Sequence, residues 1–215
     1  SLCYIILFLI FMHNNFYKND IFEIISGIKD CKKKLRNQRI LLVGANGFLG
    51  KYFTEVFKEL IDKEKIKFKL DCYDNFISSK NNPDIPKNHK HIKFYRKDIS
   101  RIEIKKKYDK IIFLAGIASP FIYKKYPLET LSVSYNGLEK LLKHSLRCKS
   151  ELVFFSSSEI YGNPDIKNIP TKESYEGRVS SISDRSCYDE SKRAGETYTY
   201  IYRNLFKLNC KIVRP

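Results

Sequence analysis

Between Ile40 and Gly50 the chain reads ILLVGANGFLG, in which an apolar run patterned as a buried strand meets glycines at 44, 47 and 50. An amphipathic segment opening Lys51-Tyr52-Phe53 follows without a break. That is the strand, turn and helix order that a dinucleotide-binding site needs. In a dinucleotide site Gly44 permits the tight turn, Gly47 leaves the backbone open to a pyrophosphate, and Gly50 lets helix and strand pack closely. The helix start, with Asn46, Phe48 and Leu49 beside the glycines, offers backbone N–H groups to phosphate. Glycine turns also serve purely structural ends, so the segments that follow carry the reading.

Those segments alternate strand and helix. Tyr52 to Asp62 is a helix with Phe53, Val56, Phe57, Leu60 and Ile61 on one face. Strands are expected at Phe68–Tyr73, Ile92–Tyr95, Lys110–Leu114 and Glu151–Phe155, and a helix at Leu128–Leu146. This order implies an α/β fold, a Rossmann-like doubly wound parallel sheet with helices on both faces. Right-handed crossovers gather the loops at the carboxyl ends of the strands. Asp74, with Asn75, closes the second strand where a carboxylate holds the ribose hydroxyls of NAD and repels the 2′-phosphate of NADP. The alternative for this Asp-Asn pair is a turn. Asp98 and Ile99 fall on the adenine side, and Leu114, Ala115, Gly116 and Ala118 supply small residues for close approach to the cofactor.

At 215 residues the chain can form one main domain, read as a cofactor domain over 38–215 behind an N-terminal extension over 1–37. Within that extension, 19–30 has helical spacing with Asp20 as a possible cap. The net charge of +16 comes from lysines scattered among Asn and Ile, as in proteins of AT-rich genomes. It lacks the clustered basic motifs of a nucleic-acid surface, and no nucleic-acid partner is expected. Cys3, Cys31, Cys72, Cys148, Cys187 and Cys210 are too dispersed for a metal site or a disulfide framework, which fits a reduced, cytoplasmic protein. His89 and His91 are expected to face solvent. The apolar run Leu2–Met12 is too short to span a bilayer. We read residues 1–11 as lying upstream of a start at Met12; the rival reading is the end of a membrane anchor.

Chemistry-bearing residues occupy two later stretches. The strand ending at Phe155 runs into Ser156-Ser157-Ser158-Glu159-Ile160-Tyr161-Gly162, and further on comes Tyr188-Asp189-Glu190-Ser191-Lys192. Tyr188 and Lys192 share a helix face. A lysine ammonium and a positively charged nicotinamide near a phenol favour phenolate, making Tyr188 a candidate general base with a serine hydroxyl on the same substrate oxygen.

The glycine loop, the serine-rich strand end and Y-x-x-x-K together resemble the extended short-chain dehydrogenase/reductase (NAD-dependent epimerase/dehydratase) family over 38–215. The segments LAGIASPFIY (114–123), SSSEIYGNP (156–164) and RSCYDESKR (185–193) look most like UDP-glucuronate decarboxylases. That resemblance implies NAD as cofactor, UDP-glucuronate as substrate and UDP-xylose as product through a 4-keto intermediate. It implies Tyr188 as base, Lys192 as its partner, Ser157 on the C4 oxygen, and Ser158 and Glu159 at the decarboxylation step. Ser119, Pro120 and Tyr123 would face the sugar, and a homodimer is a family habit. Glu159 has a structural alternative, capping the turn before Tyr161. Ser134 stands where the family often has asparagine, and the substrate domain expected beyond Pro215 is missing from the chain. Epimerase or 4,6-dehydratase activity is the near alternative. From other classes come a non-catalytic NAD-binding module and a basic nucleic-acid or membrane-surface protein.

Overall fold

The computed structural model describes residues 17–28, 31–78 and 89–215. The apolar run 2–12 and most of the Asn- and Pro-rich loop, 79–88, lie outside them.

Six parallel strands form one sheet: β1 (Arg39–Val43), β2 (Lys69–Asp74), β3 (Ile92–Arg96), β4 (Lys110–Phe113), β5 (Glu151–Phe155) and β6 (Cys210–Val213), in the order β3-β2-β1-β4-β5-β6. β1 is central, and Ile40, Leu41 and Leu42 are wholly buried, because helices cover both faces and leave no polar side to the strand. Its alternate residues feed two cores. Leu41 and Val43 join Ile111, Phe113, Leu138, Leu141 and Phe154 on one face. Ile40 and Leu42 join Val56, Phe57, Leu60 and Ile21 on the other.

Residues 17–27 are helical (α1), and Ile21 ties that helix to the second core. Asp20 lies inside α1 rather than at its cap, and its carboxylate accepts the Tyr52 hydroxyl at 2.7 Å. That bond fastens α1 to α2 (Phe48–Asp62). His89, expected in solvent, is turned inward. Its Nε2 meets Asp62 at 3.0 Å and its Nδ1 accepts the Ile92 N–H at 3.1 Å, anchoring the start of β3.

Two short helices follow β4: α3 (Pro120–Lys125), then α4 (Pro127–Ser132). The helix expected over Leu128–Leu146 is interrupted. α4 passes into a π turn at Val133–Leu138 before α5 (Glu139–Cys148) resumes regular winding. Apolar spacing alone does not register one widened turn; such turns often border functional sites. The last helix, α6, runs from Ser186 to Leu205 and packs back on β5 and β6. Among the described residues no helix is long and apolar enough to cross a membrane.

The chain leaves β1 toward one edge through β2 and β3, then returns to β4 and continues to the other edge through β5 and β6. The reversal opens a crevice beyond the carboxyl ends of β1 and β4.

Candidate active site

A cleft of about 430 Å³ fills that crevice. The glycine loop forms its floor. Gly44 takes φ +85°, and a Cβ there would stand 2.7 Å from the Ala115 nitrogen, so only glycine lets β1 turn against β4. At Gly50 a Cβ would collide with the Gly44 carbonyl oxygen, which is the close strand–helix packing the spacing predicts. Gly47 lines the cleft with bare backbone at the N-terminus of α2.

The remaining walls come from strand ends. Asp74 Oδ2 accepts the Asn46 N–H at 2.9 Å and Oδ1 accepts the Phe76 N–H at 2.8 Å. The carboxylate thus holds both its own turn and the glycine loop while bordering the cleft. Asn75 also lines it and closes a local turn onto Ile77. Asp98 accepts from Ser100, and Ile99 reaches both the cleft and the core. Leu114, Ala115 and Gly116 form the wall from β4, and Ser132, Val133 and Asn136, at the start of the π turn, face them.

Other expected residues are placed elsewhere. The Phe48 and Leu49 side chains lie in an apolar groove against α1, leaving their backbone as their contribution to the helix start. Ala118, Ser119 and Pro120 are exposed where α3 begins.

Beyond Gly116 lies the titratable cluster. A Cβ on Gly116 would meet Lys192 Nζ at 2.9 Å and Tyr188 Cε2 at 4.0 Å, so this glycine joins cleft and cluster. Tyr188 is buried and stacks on Tyr123, with ring centroids 5.9 Å apart and planes 9° from parallel. One face of the Tyr123 ring is thus covered by Tyr188. Burial raises the Tyr188 pKa, while a hydrogen bond with Ser157 and the charge of Arg185 oppose the rise. Lys192 donates to the Phe155 carbonyl at 2.8 Å and sits 5.8 Å from the Tyr188 ring centroid. Burial lowers its pKa to about 8. At neutral pH the lysine is still mostly an ammonium. The phenol, however, lies above its ordinary value rather than below it, because desolvation outweighs its favourable neighbours.

Ser157 caps the short turn Ser158–Tyr161 by accepting the Glu159 N–H at 3.3 Å. The cap is the serine, and the Glu159 carboxylate is free for other work. It pairs with Arg185, whose Nε also donates to Asp189 at 3.1 Å. Ser158 is exposed on the same turn. The Arg185–Asp189 contact was readable as an i, i+4 pair in RSCYDE; nothing local announces the long-range partner Glu159. Ser134 is fully buried, and its Oγ has no partner among the described residues.

These features fit a dinucleotide. Glycine-only backbone lines the cleft at Gly47 and Gly116, a carboxylate stands at the end of β2, and a buried amine waits behind Gly116.

Residues 40–215 match the NAD dependent epimerase/dehydratase family. The chain is 34% identical over 193 residues to UDP-glucuronic acid decarboxylase 5 of Arabidopsis thaliana, covering 88% of this chain and 53% of that protein. It therefore spans about half the length of this curated relative. Among solved structures it is similar to the UDP-N-acetylglucosamine 4-epimerase of Methanobrevibacter ruminantium, with TM-score 0.65 and 26% identity over 83% of this chain and 55% of that one. The fold is also that of a dTDP-glucose 4,6-dehydratase from Streptomyces venezuelae solved with NAD bound, with TM-score 0.66 and 19% identity over 82% of this chain and 55% of that one.

Proposed function

Because the chain belongs to the NAD-dependent epimerase/dehydratase family, we propose that it carries the cofactor-binding, C4-oxidising part of a nucleotide-sugar enzyme that decarboxylates UDP-glucuronate to UDP-xylose. The observation that supports this reading most is the Tyr188, Ser157 and Lys192 cluster behind Gly116, with Arg185, the partner of Glu159, acting by its charge on the same phenol.

Gly44, Gly47, Asp74, Asn75, Asp98, Ile99, Leu114, Ala115, Gly116 and Lys192 would hold NAD, and the chemistry it supplies when bound is acceptance and return of a hydride at C4 of the sugar. The Tyr188 oxygen removes the C4 hydroxyl proton, and the Ser157 hydroxyl shares that oxygen. Burial favours the neutral phenol; Ser157 and Arg185 offset that desolvation when the proton moves, and the Lys192 ammonium stands 5.8 Å from the ring centroid. Once C4 is a ketone, the C5 carboxylate is β to a carbonyl. Its C–C bond breaks with release of CO2, the electron pair enters the C4–C5 enolate, and C5 then takes up a proton. Glu159 and Ser158 stand on the turn that follows Ser157 and would act at that carbon. Reprotonation of the C4 oxygen by Tyr188 completes the cycle.

The test is to incubate the full gene product with NAD+ and UDP-glucuronate and follow CO2 and the product sugar by NMR. UDP-xylose is expected. A 4-keto or C4-inverted sugar without CO2 would replace decarboxylation with dehydratase or epimerase chemistry. NAD binding with no turnover of any nucleotide sugar would reduce the chain to a binding module.

A further inference from the structure

We propose that Arg185 is a carboxylate subsite that selects nucleotide sugars carrying an acid at C6, and that Glu159 occupies it as a removable stand-in until such a sugar arrives. The inference deepens the decarboxylase reading and rests on its placement of the sugar C4 oxygen at Tyr188.

The two partners of Arg185 differ in kind. Asp189 is 4% exposed, lies one turn along α6, and takes the guanidinium Nε at 3.1 Å. The side chain of Glu159 is 40% exposed, sits on a short turn from another part of the chain, and takes Nη2. Asp189 is thus a fixed anchor and Glu159 an exchangeable ligand. An Arg–carboxylate pair this open is worth little as a stabilising contact. Burying Asp189 to orient it is costly unless the orientation is used.

Position points the same way. Arg185 stands three residues before Tyr188 at the start of α6, and its charge acts on that phenol. Glu159 follows by two residues the serine that bonds the phenol. In a hexuronate the C6 carboxyl hangs from C5, the atom bonded to C4. A sugar whose C4 oxygen sits between Tyr188 and Ser157 therefore carries its carboxylate to within a few ångströms of that centre, on whichever side C5 lies. On the Glu159 side the planar fork of Arg185 is already presented, anchored from behind. Asp189 and Glu159 already hold Nε and Nη2 of the guanidinium, so an incoming carboxylate reaches the fork only as Glu159 leaves. That departure frees Glu159 beside C5.

The experiment measures binding of UDP-glucuronate and UDP-glucose, calorimetrically, to the NAD+-loaded full gene product. Arg185→Gln should weaken UDP-glucuronate ~10- to 100-fold, the loss of a charge-assisted bond, with UDP-glucose nearly unchanged. Glu159→Gln removes the competitor and should tighten UDP-glucuronate several-fold. A merely structural ion pair would not yield opposite signs from its two members. If Arg185→Gln misfolds by circular dichroism, Arg185→Lys retains the charge without the fork and should give an intermediate loss specific to the uronate. An unchanged ratio of the two affinities in the Arg185 variants, or weaker uronate binding in Glu159→Gln, overturns the proposal. Wild-type protein that prefers the uronate yet makes no UDP-xylose would sink the decarboxylase reading and support the subsite.

Discussion

Lys192 and Gly116 are fitted to each other: the buried ammonium occupies the space where a side chain at 116 would begin, with Nζ 2.9 Å and Cε 3.2 Å from that Cβ position. The end of β4 and the helix α6 approach through this missing side chain. Gly116→Ala should therefore push the lysine tip aside and lengthen its 2.8 Å bond to the Phe155 carbonyl. The backbone itself is not strained, so the melting temperature should shift by only a few degrees, ~1 kcal/mol or less. Turnover should fall at least ~10-fold, since a displacement well under an ångström is enough to spoil a positioned group. Parallel thermal melts and rate measurements check this. A variant with wild-type turnover would show that Lys192 need not sit where it does.

The buried position of Lys192 makes the folded protein's stability depend on pH. Its pKa falls from 10.5 to about 8 on folding, through burial. Between those values the unfolded chain holds a proton that the folded chain has released, so this group's contribution rises with pH across the window and is lost as pH falls through about 8. Lys192→Met removes the effect. The unfolding free energy of the wild type minus that of the variant should rise with pH by about 3 kcal/mol across this window, a figure that converts the pKa difference directly. Urea titrations at several alkaline pH values test it; a flat difference would mean that the amine is not buried in solution.

Tyr188→Phe keeps the stack on Tyr123 and deletes the hydroxyl that Ser157 bonds. The ring stays in place, so NAD affinity should change less than ~3-fold, while hydride transfer to NAD+ drops by ~100-fold or more with the loss of a positioned proton acceptor. Single-turnover formation of NADH at 340 nm reads the second quantity. Near-normal NADH formation would remove Tyr188 from the role of base.

Much of this arrangement is legible in the chain before any coordinates, and the legible parts share a cause. The glycines of 44–50, the apolar strands and the Tyr188–Lys192 spacing are local patterns, each set by backbone sterics or helical period. What stayed hidden depends on distant partners. The Glu159–Arg185 pair joins residues 26 positions apart. Asp20 looks like a helix cap until Tyr52 is brought to it, and His89 looks like a solvent-facing loop residue until Asp62 and the start of β3 close on it. The π turn at Val133–Leu138 hides for another reason, since one widened turn barely changes the apolar period of the segment around it. Phe48 and Leu49 open α2 at the glycine loop, and nothing local announces that α1 supplies an apolar groove for their side chains.

Away from the cleft, Asp71 offers a test of which polar contact holds β2. It is 3% exposed and accepts both the Tyr108 hydroxyl at 2.8 Å and the Lys106 ammonium at 2.5 Å. Coulomb attraction alone would rank the lysine first. Yet the Lys106 side chain is 41% exposed, so water screens its charge and can replace it, whereas Tyr108 is wholly buried, where water does not reach to take over its bond. Tyr108→Phe should cost about 2 kcal/mol, the loss of a buried bond to a charged acceptor. Lys106→Met should cost less than about 1 kcal/mol. Both follow from urea unfolding at neutral pH. If the lysine variant proves the more damaging, the ammonium rather than the hydroxyl stabilises the buried carboxylate, and the strand that ends in Asp74 is tied down by charge.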